Sequence, residues 1–123
     1  MTLKRQQVGR TGEAVAACYL QDRGYIIVES NYRCSLGEID LVAYDGDTVV
    51  LVEVRTKTGF SHGSPEESIN AEKARRLQRM ALFYLKAKGL SKAPARIDLV
   101  AVLLDRTNLT VQNIRHIKGI LSG

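Results

Sequence analysis

Residues 37–57, GEIDLVAYDGDTVVLVEVRTK, constrain this chain more than any other stretch, because they carry acids where a packed sheet would take apolar side chains. Two apolar-rich runs, 38–44 and 48–55, flank Asp45-Gly46-Asp47. Asp-Gly between such runs predicts a β-hairpin, since both residues tolerate positive φ.

Parity then sorts the side chains. Residues facing each other across a hairpin share one side of the sheet. A two-residue turn at Asp45-Gly46 pairs Tyr44 with Asp47, and hence Asp40 with Leu51. A four-residue loop pairs Tyr44 with Val49, and hence Asp40 with Glu53. Both registers put Asp40 and Glu53 on one face, with Arg55 two residues further along the same face. A one-residue slip would separate the two acids. Ile39, Leu41 and Ala43 should share the opposite face with Val50, Val52 and Val54. Two carboxylates and a guanidinium on one face suit a hard divalent cation such as Mg²⁺, which takes oxygen ligands and keeps water and phosphate in its shell. The same pattern equally fits a solvated face with a cross-strand ion pair, worth at most about 1 kcal/mol.

At 123 residues, 45% hydrophobic and 25% charged, the chain predicts one globular domain over residues 1–123. No apolar run is long enough to cross a bilayer, and no apolar segment follows the basic start as a signal peptide would require. The expected location is therefore cytoplasmic, with no membrane partner. Cys18 and Cys34 match no zinc or redox spacing and make no disulfide framework. A net charge of +5 favours a polyanionic partner, nucleic acid before anionic membrane.

Taken in order, residues 1–10 read as a mobile basic lead-in with Lys4, Arg5 and Arg10. Helix one is expected over 11–23, with Thr11 as N-cap and Gly24 at C′. Glu13 then sits in the first turn, either serving the helix dipole or aimed at Asp40 and Glu53. Strand one spans 25–33 and ends in Arg33, placed to bind phosphate or to pair with an acid. The hairpin supplies strands two and three. A Gly-bracketed loop over 58–63 holds His62, which could shuttle a proton, although a lone loop histidine is more often incidental. Ser64-Pro65-Glu66-Glu67 forms a capping box, predicting a helix from there to Lys88 with a break near Asn70. Leu77, Met80, Ala81, Tyr84 and Leu85 make its core-facing stripe. Lys73, Arg75, Arg76 and Arg79 cluster near its start and are candidates for a DNA backbone. Residues 96–104 read as a central strand, with Asp98 an ion-pair partner for a neighbouring Arg. Residues 109–117 read as an edge strand with a structural His116. The order αβββαββ predicts an α/β fold, a mixed five-stranded sheet flanked by two helices.

This ordered set resembles the PD-(D/E)XK nuclease superfamily and, more closely, the YraN-like family of predicted endonucleases, relatives of archaeal Holliday-junction resolvases. The matching pieces are Gly12-Glu13-Ala14, Asn31-Tyr32-Arg33, Gly37-Glu38-Ile39-Asp40-Leu41-Val42, Val52-Glu53-Val54-Arg55-Thr56, Ser64-Pro65-Glu66-Glu67, Lys73, Arg76-Leu77, Tyr84-Leu85, Arg96-Ile97-Asp98 and Ile114-Arg115-His116-Ile117. They run in order over nearly the whole chain. The resemblance implies a restriction-endonuclease-like core and hydrolysis of DNA phosphodiesters, including branched junctions. It also implies Mg²⁺ or Mn²⁺ held by Asp40, Glu53 and the Val54 carbonyl, with Glu13 completing the site. A homodimer is implied by the resolvase relatives. Arg33, Lys57, Lys73 and Arg76 are the nucleic-acid-binding candidates. The chain departs from the superfamily at Arg55, where a Lys is usual. Arg can orient water or hold phosphate but stays protonated, so it cannot act as a base. Lys57, on the same face, is the candidate to substitute for it. The alternative function is therefore a nucleic-acid-binding module that keeps the fold without efficient catalysis.

Overall fold

The structure, a computed structural model, describes residues 2–59 and 69–120. Its elements are α1 (Thr2–Asp22), β1 (Ile26–Cys34), β2 (Gly37–Asp45), β3 (Thr48–Thr58), α2 (Ala71–Ala87), β4 (Ala95–Leu104) and β5 (Val111–Ile117). The five strands form one sheet in the order β1-β2-β3-β4-β5. Only the β3–β4 pair is parallel, because α2 carries the chain back across the sheet between them; the other pairs are antiparallel. The αβββαββ order and the mixed sheet are those expected from the sequence and fit a restriction-endonuclease-like core.

The sheet is covered on both faces. On one face, Leu41, Ala43, Val50, Val52, Val100 and Val102 pack with Ala16 and Leu20 of α1. On the other, Val42, Val49, Leu51 and Ile97 pack with Leu77, Met80, Ala81, Tyr84 and Leu85 of α2. β3 and β4 therefore carry fully buried residues from both faces, as a central pair should. Both helices end in the same way. Tyr25 N–H reaches Leu20 O while Gly24 N–H reaches Gln21 O, and Leu90 and Gly89 repeat this on Leu85 and Lys86. Each is a Schellman motif with a left-handed glycine, at φ 88° for Gly24 and 70° for Gly89. Among the described residues no helix is long and apolar enough to cross a membrane.

Several expectations need correction. α1 starts at Thr2, so residues 2–10 are helical, and Thr11 lies inside the helix rather than capping it. Gly9 lies within this stretch, but one glycine costs a helix only about 1 kcal/mol. Val8 acts in the other direction, packing partly buried against the α1-side core. Ile39 belongs to the α2-side cluster, not with Leu41. The change of face comes where β1 and β2 lose regular pairing: Asn31 takes φ 53°, and Ser30↔Leu41 and Tyr32↔Ile39 flank it. The described part of α2 opens at Asn70, whose side chain accepts the Lys73 N–H at 2.8 Å. The capping box at Ser64-Pro65-Glu66-Glu67 and the loop histidine His62 lie outside the described residues.

Candidate metal centre

The hairpin takes the register of the four-residue loop. Tyr44 pairs with Val49, and pairing runs from Asp45↔Thr48 to Leu41↔Val52. Continued by one step, this register sets Asp40 opposite Glu53. Here the ladder stops, and the Asp40 side chain takes over: its Oδ2 accepts the Val54 N–H at 2.8 Å. The carboxylate is thereby fixed at the point where β2 and β3 part.

Glu13 reaches this point because of its neighbour. Gly12 is buried against β3, and a Cβ there would run into the Thr56 side chain. The bare backbone lets α1 cross β3 closely, which brings Glu13, the next residue, to the strand ends. One oxygen each of Glu13, Glu38 and Asp40 lie within 4.8 Å of one another. Asn31 ties two of them together, its Nδ2 donating to Glu13 Oε1 at 3.1 Å and Glu38 Oε1 at 2.7 Å. Of the two roles open to Glu13 from sequence, the structure shows the one directed at Asp40.

The electrostatic consequence falls on Asp40. Its pKa is pushed up to about 7, first by burial and then by the charges of Glu53, Glu13 and Glu38, against the lowering effect of the Val54 N–H. Like charges crowded in a partly dry site resist full ionisation, and a cation relieves that resistance. Ligand oxygens around Mg²⁺ stand up to about 4.2 Å apart, given Mg–O distances near 2.1 Å. Three carboxylates within 4.8 Å therefore need only small side-chain adjustments to share one ion. The donor set is all hard oxygen, so the residues present fit a hard divalent cation.

Glu53 is placed differently. It is buried, with its Oε2 2.8 Å from Lys73 Nζ on α2 and 3.7 Å from Arg55 Nε. It stands close enough to act on Asp40 but outside the group of three carboxylates. Arg55 Nε is buried with no hydrogen-bond partner among the described residues. Arg33 Nε lies 3.5 Å from Glu38 Oε2, an acid pairing rather than an open phosphate site. Lys57 and Arg76 are exposed. Lys73, a DNA candidate from sequence, is mostly covered and committed to Glu53.

Sequence reasoning missed Glu38 and Asn31 as site residues. Neither was within reach of the period of two: the change of face between Ile39 and Leu41 comes between Glu38 and Asp40, and the role of Asn31 depends on a left-handed backbone inside a strand.

A second polar cluster is separate from this site. Asp98, fully buried, accepts from Arg96 Nε at 2.9 Å and Gly119 N at 3.0 Å, and lies 2.8 Å from His116 Nε2. Arg96 also donates to Tyr25 Oη at 2.7 Å and Asp45 Oδ2 at 2.9 Å. The bond from Arg96 holds the Asp45 carboxyl below the usual carboxylate range. Asp98 is thus the ion-pair partner of a neighbouring Arg that the sequence suggested, the structure giving that Arg as Arg96, and His116 is structural.

Comparison with known proteins agrees with the resemblance at the level of the family. The model of the uncharacterised protein family UPF0102 matches residues 12–102. The chain belongs to the UPF0102 family. A UPF0102 protein of Moorella thermoacetica is 48% identical over 119 residues, 97% of this chain and 98% of that protein. One from Geotalea uraniireducens is 45% identical over 113 residues, 92% of this chain and 87% of its own. One from Desulfitobacterium hafniense is 40% identical over 121 residues, 98% of this chain and all of its own. The family match spans Glu13, Asn31, Glu38, Asp40, Glu53 and Lys73, so every residue of the centre lies within it.

Proposed function

We propose that this protein is a metal-dependent endonuclease that hydrolyses DNA phosphodiesters, with branched junctions among its substrates. The observation that carries this reading is the meeting of Glu13, Glu38 and Asp40 at the parting of β2 and β3, beside buried Glu53. A divalent cation bound there would activate water and offset charge on the phosphate in the transition state. Glu13, Glu38 and Asp40 would hold that ion. The Val54 N–H keeps the Asp40 carboxylate oriented, and Lys73 keeps Glu53 in place. Arg55 would hold a substrate phosphate, since its guanidinium cannot serve as a base. The net charge of +5 would draw the polyanion in, with exposed Lys57 and Arg76 as backbone contacts. A homodimer would suit paired cuts on a symmetric junction.

The test is cleavage of labelled duplex, single-stranded and four-way-junction DNA with Mg²⁺, Mn²⁺ or EDTA. Asp40→Asn and Glu53→Gln proteins run alongside. Cuts that require metal and disappear in both variants support the proposal. Cuts that persist in Asp40→Asn come from elsewhere.

Two observations favour a second reading, a DNA-binding module without efficient turnover. Arg55 stands where a Lys is usual, and Glu53 is already neutralised by Lys73 at 2.8 Å. Binding would then persist in EDTA, weaken steeply with salt, and change little in Asp40→Asn.

A further inference from the structure

We propose that Asn31 is a positioning residue that assembles the metal-binding carboxylates. The inference rests on the metal-site reading above and assigns a residue that does not itself touch the ion. Glu13 and Glu38 come from different elements, α1 and β2, and both are anionic. Left alone they would separate. The Asn31 amide nitrogen donates to both, at 3.1 and 2.7 Å. The assignment of nitrogen rather than oxygen is forced by chemistry, since both partners are acceptors.

The residue type follows from two requirements met together. The backbone at this position is left-handed, φ 53°, a conformation that Asn tolerates better than most L-residues. The side chain must bridge two carboxylates without neutralising them. A Lys or Arg would bridge them too, but its charge would compete with a cation for the same oxygens. A neutral amide carries two N–H donors on one atom, so it holds the acids together and leaves their charge for a metal. Arg33 is the contrasting case, since its Nε lies 3.5 Å from Glu38 and its side chain is 82% exposed. Outer-shell partners of metal ligands typically change affinity 10- to 100-fold when removed.

Asn31→Gly isolates the amide. Glycine accepts the left-handed backbone without strain, so the fold is kept while the donors are lost. Mn²⁺ is titrated into the full chain, and free ion is followed by its paramagnetic resonance signal. Wild type, Asn31→Gly, Glu13→Gln and the double variant form a cycle. The expected result is a roughly 10-fold weaker Mn²⁺ affinity in Asn31→Gly, with an unchanged urea midpoint in EDTA. The same change in the Glu13→Gln background should cost less than about 3-fold, because one of the two acids to be held is gone. Equal Mn²⁺ affinity in wild type and Asn31→Gly overturns the positioning role while leaving the metal site standing. An undiminished loss in the Glu13→Gln background overturns it too. A wild type that binds no Mn²⁺ removes the metal site and the positioning role with it.

Discussion

Replacing Asp40 with Asn should stabilise the protein at neutral and alkaline pH and do little in acid. The Asp40 pKa is raised to about 7 in the folded chain, against about 3.9 when unfolded. The folded state therefore binds the proton more tightly than the unfolded one. Below about pH 4 both states are protonated and Asp40 imposes no penalty. The penalty grows between about pH 4 and 7 and is complete above that. Three pKa units at about 1.36 kcal/mol each give a ceiling near 4 kcal/mol at pH 8, and linkage leaves only about 1 to 2 kcal/mol at pH 5. Asn is isosteric, and its Oδ1 can still accept the Val54 N–H now bonded at 2.8 Å. Urea unfolding in EDTA across this range would measure the difference between variant and wild type. The advantage of Asp40→Asn should widen by about 2 kcal/mol or more from pH 5 to pH 8. A difference that stays flat with pH would refute the argument, because it would mean that Asp40 ionises without strain. Adding Mg²⁺ at pH 8 should raise wild-type stability more than that of the variant, by about 1.4 kcal/mol at ten times the dissociation constant.

Other perturbations bear on the fold and on the nucleic-acid face. Asp98→Ala should cost about 3–5 kcal/mol in urea unfolding, since it leaves Arg96, His116 and the Gly119 N–H without their buried acceptor. The two glycines of α1 should respond with opposite signs. Gly9→Ala should stabilise by about 0.5–1 kcal/mol, because nothing lies within 4 Å of the added methyl. Gly12→Ala should destabilise by about 1–3 kcal/mol by forcing α1 off Thr56, and a melting temperature that does not fall would show that the close crossing is not required. Lys57→Ala should weaken DNA binding about equally across sequences and flatten the salt dependence by about one unit, and an unchanged slope in a fluorescence anisotropy titration would remove Lys57 from the interface.

Much of the site was legible because hairpins obey simple arithmetic. Asp-Gly between two apolar runs fixed β2 and β3, and the period of two aligned Asp40 with Glu53 and Arg55. The choice between a two- and a four-residue loop could not be made from sequence, since both registers keep the acids on one face. The structure takes the wider pairing, Tyr44↔Val49. The limits of α1 were misread for an energetic reason. Gly9 and the polar residues around it are a weak local penalty, and they are opposed by the contact of Val8 with a core distant in sequence.

Sequence alone determined the order of elements, the two glycine-ended helices, the acidic hairpin and the role of Asp98 as an ion-pair partner. These rest on near-neighbour rules of turn chemistry, capping and periodicity. Tertiary structure decided which acids meet. Glu13 joins Asp40 because Gly12 lets α1 lie against Thr56. Glu38 joins them through Asn31, whose left-handed backbone interrupts the parity of β1. Glu53 is drawn to Lys73 of α2 because the parallel crossover lays that helix over the other face of the sheet. Each of these contacts joins residues far apart in the chain or depends on an irregular strand, and local pattern carries no information about either.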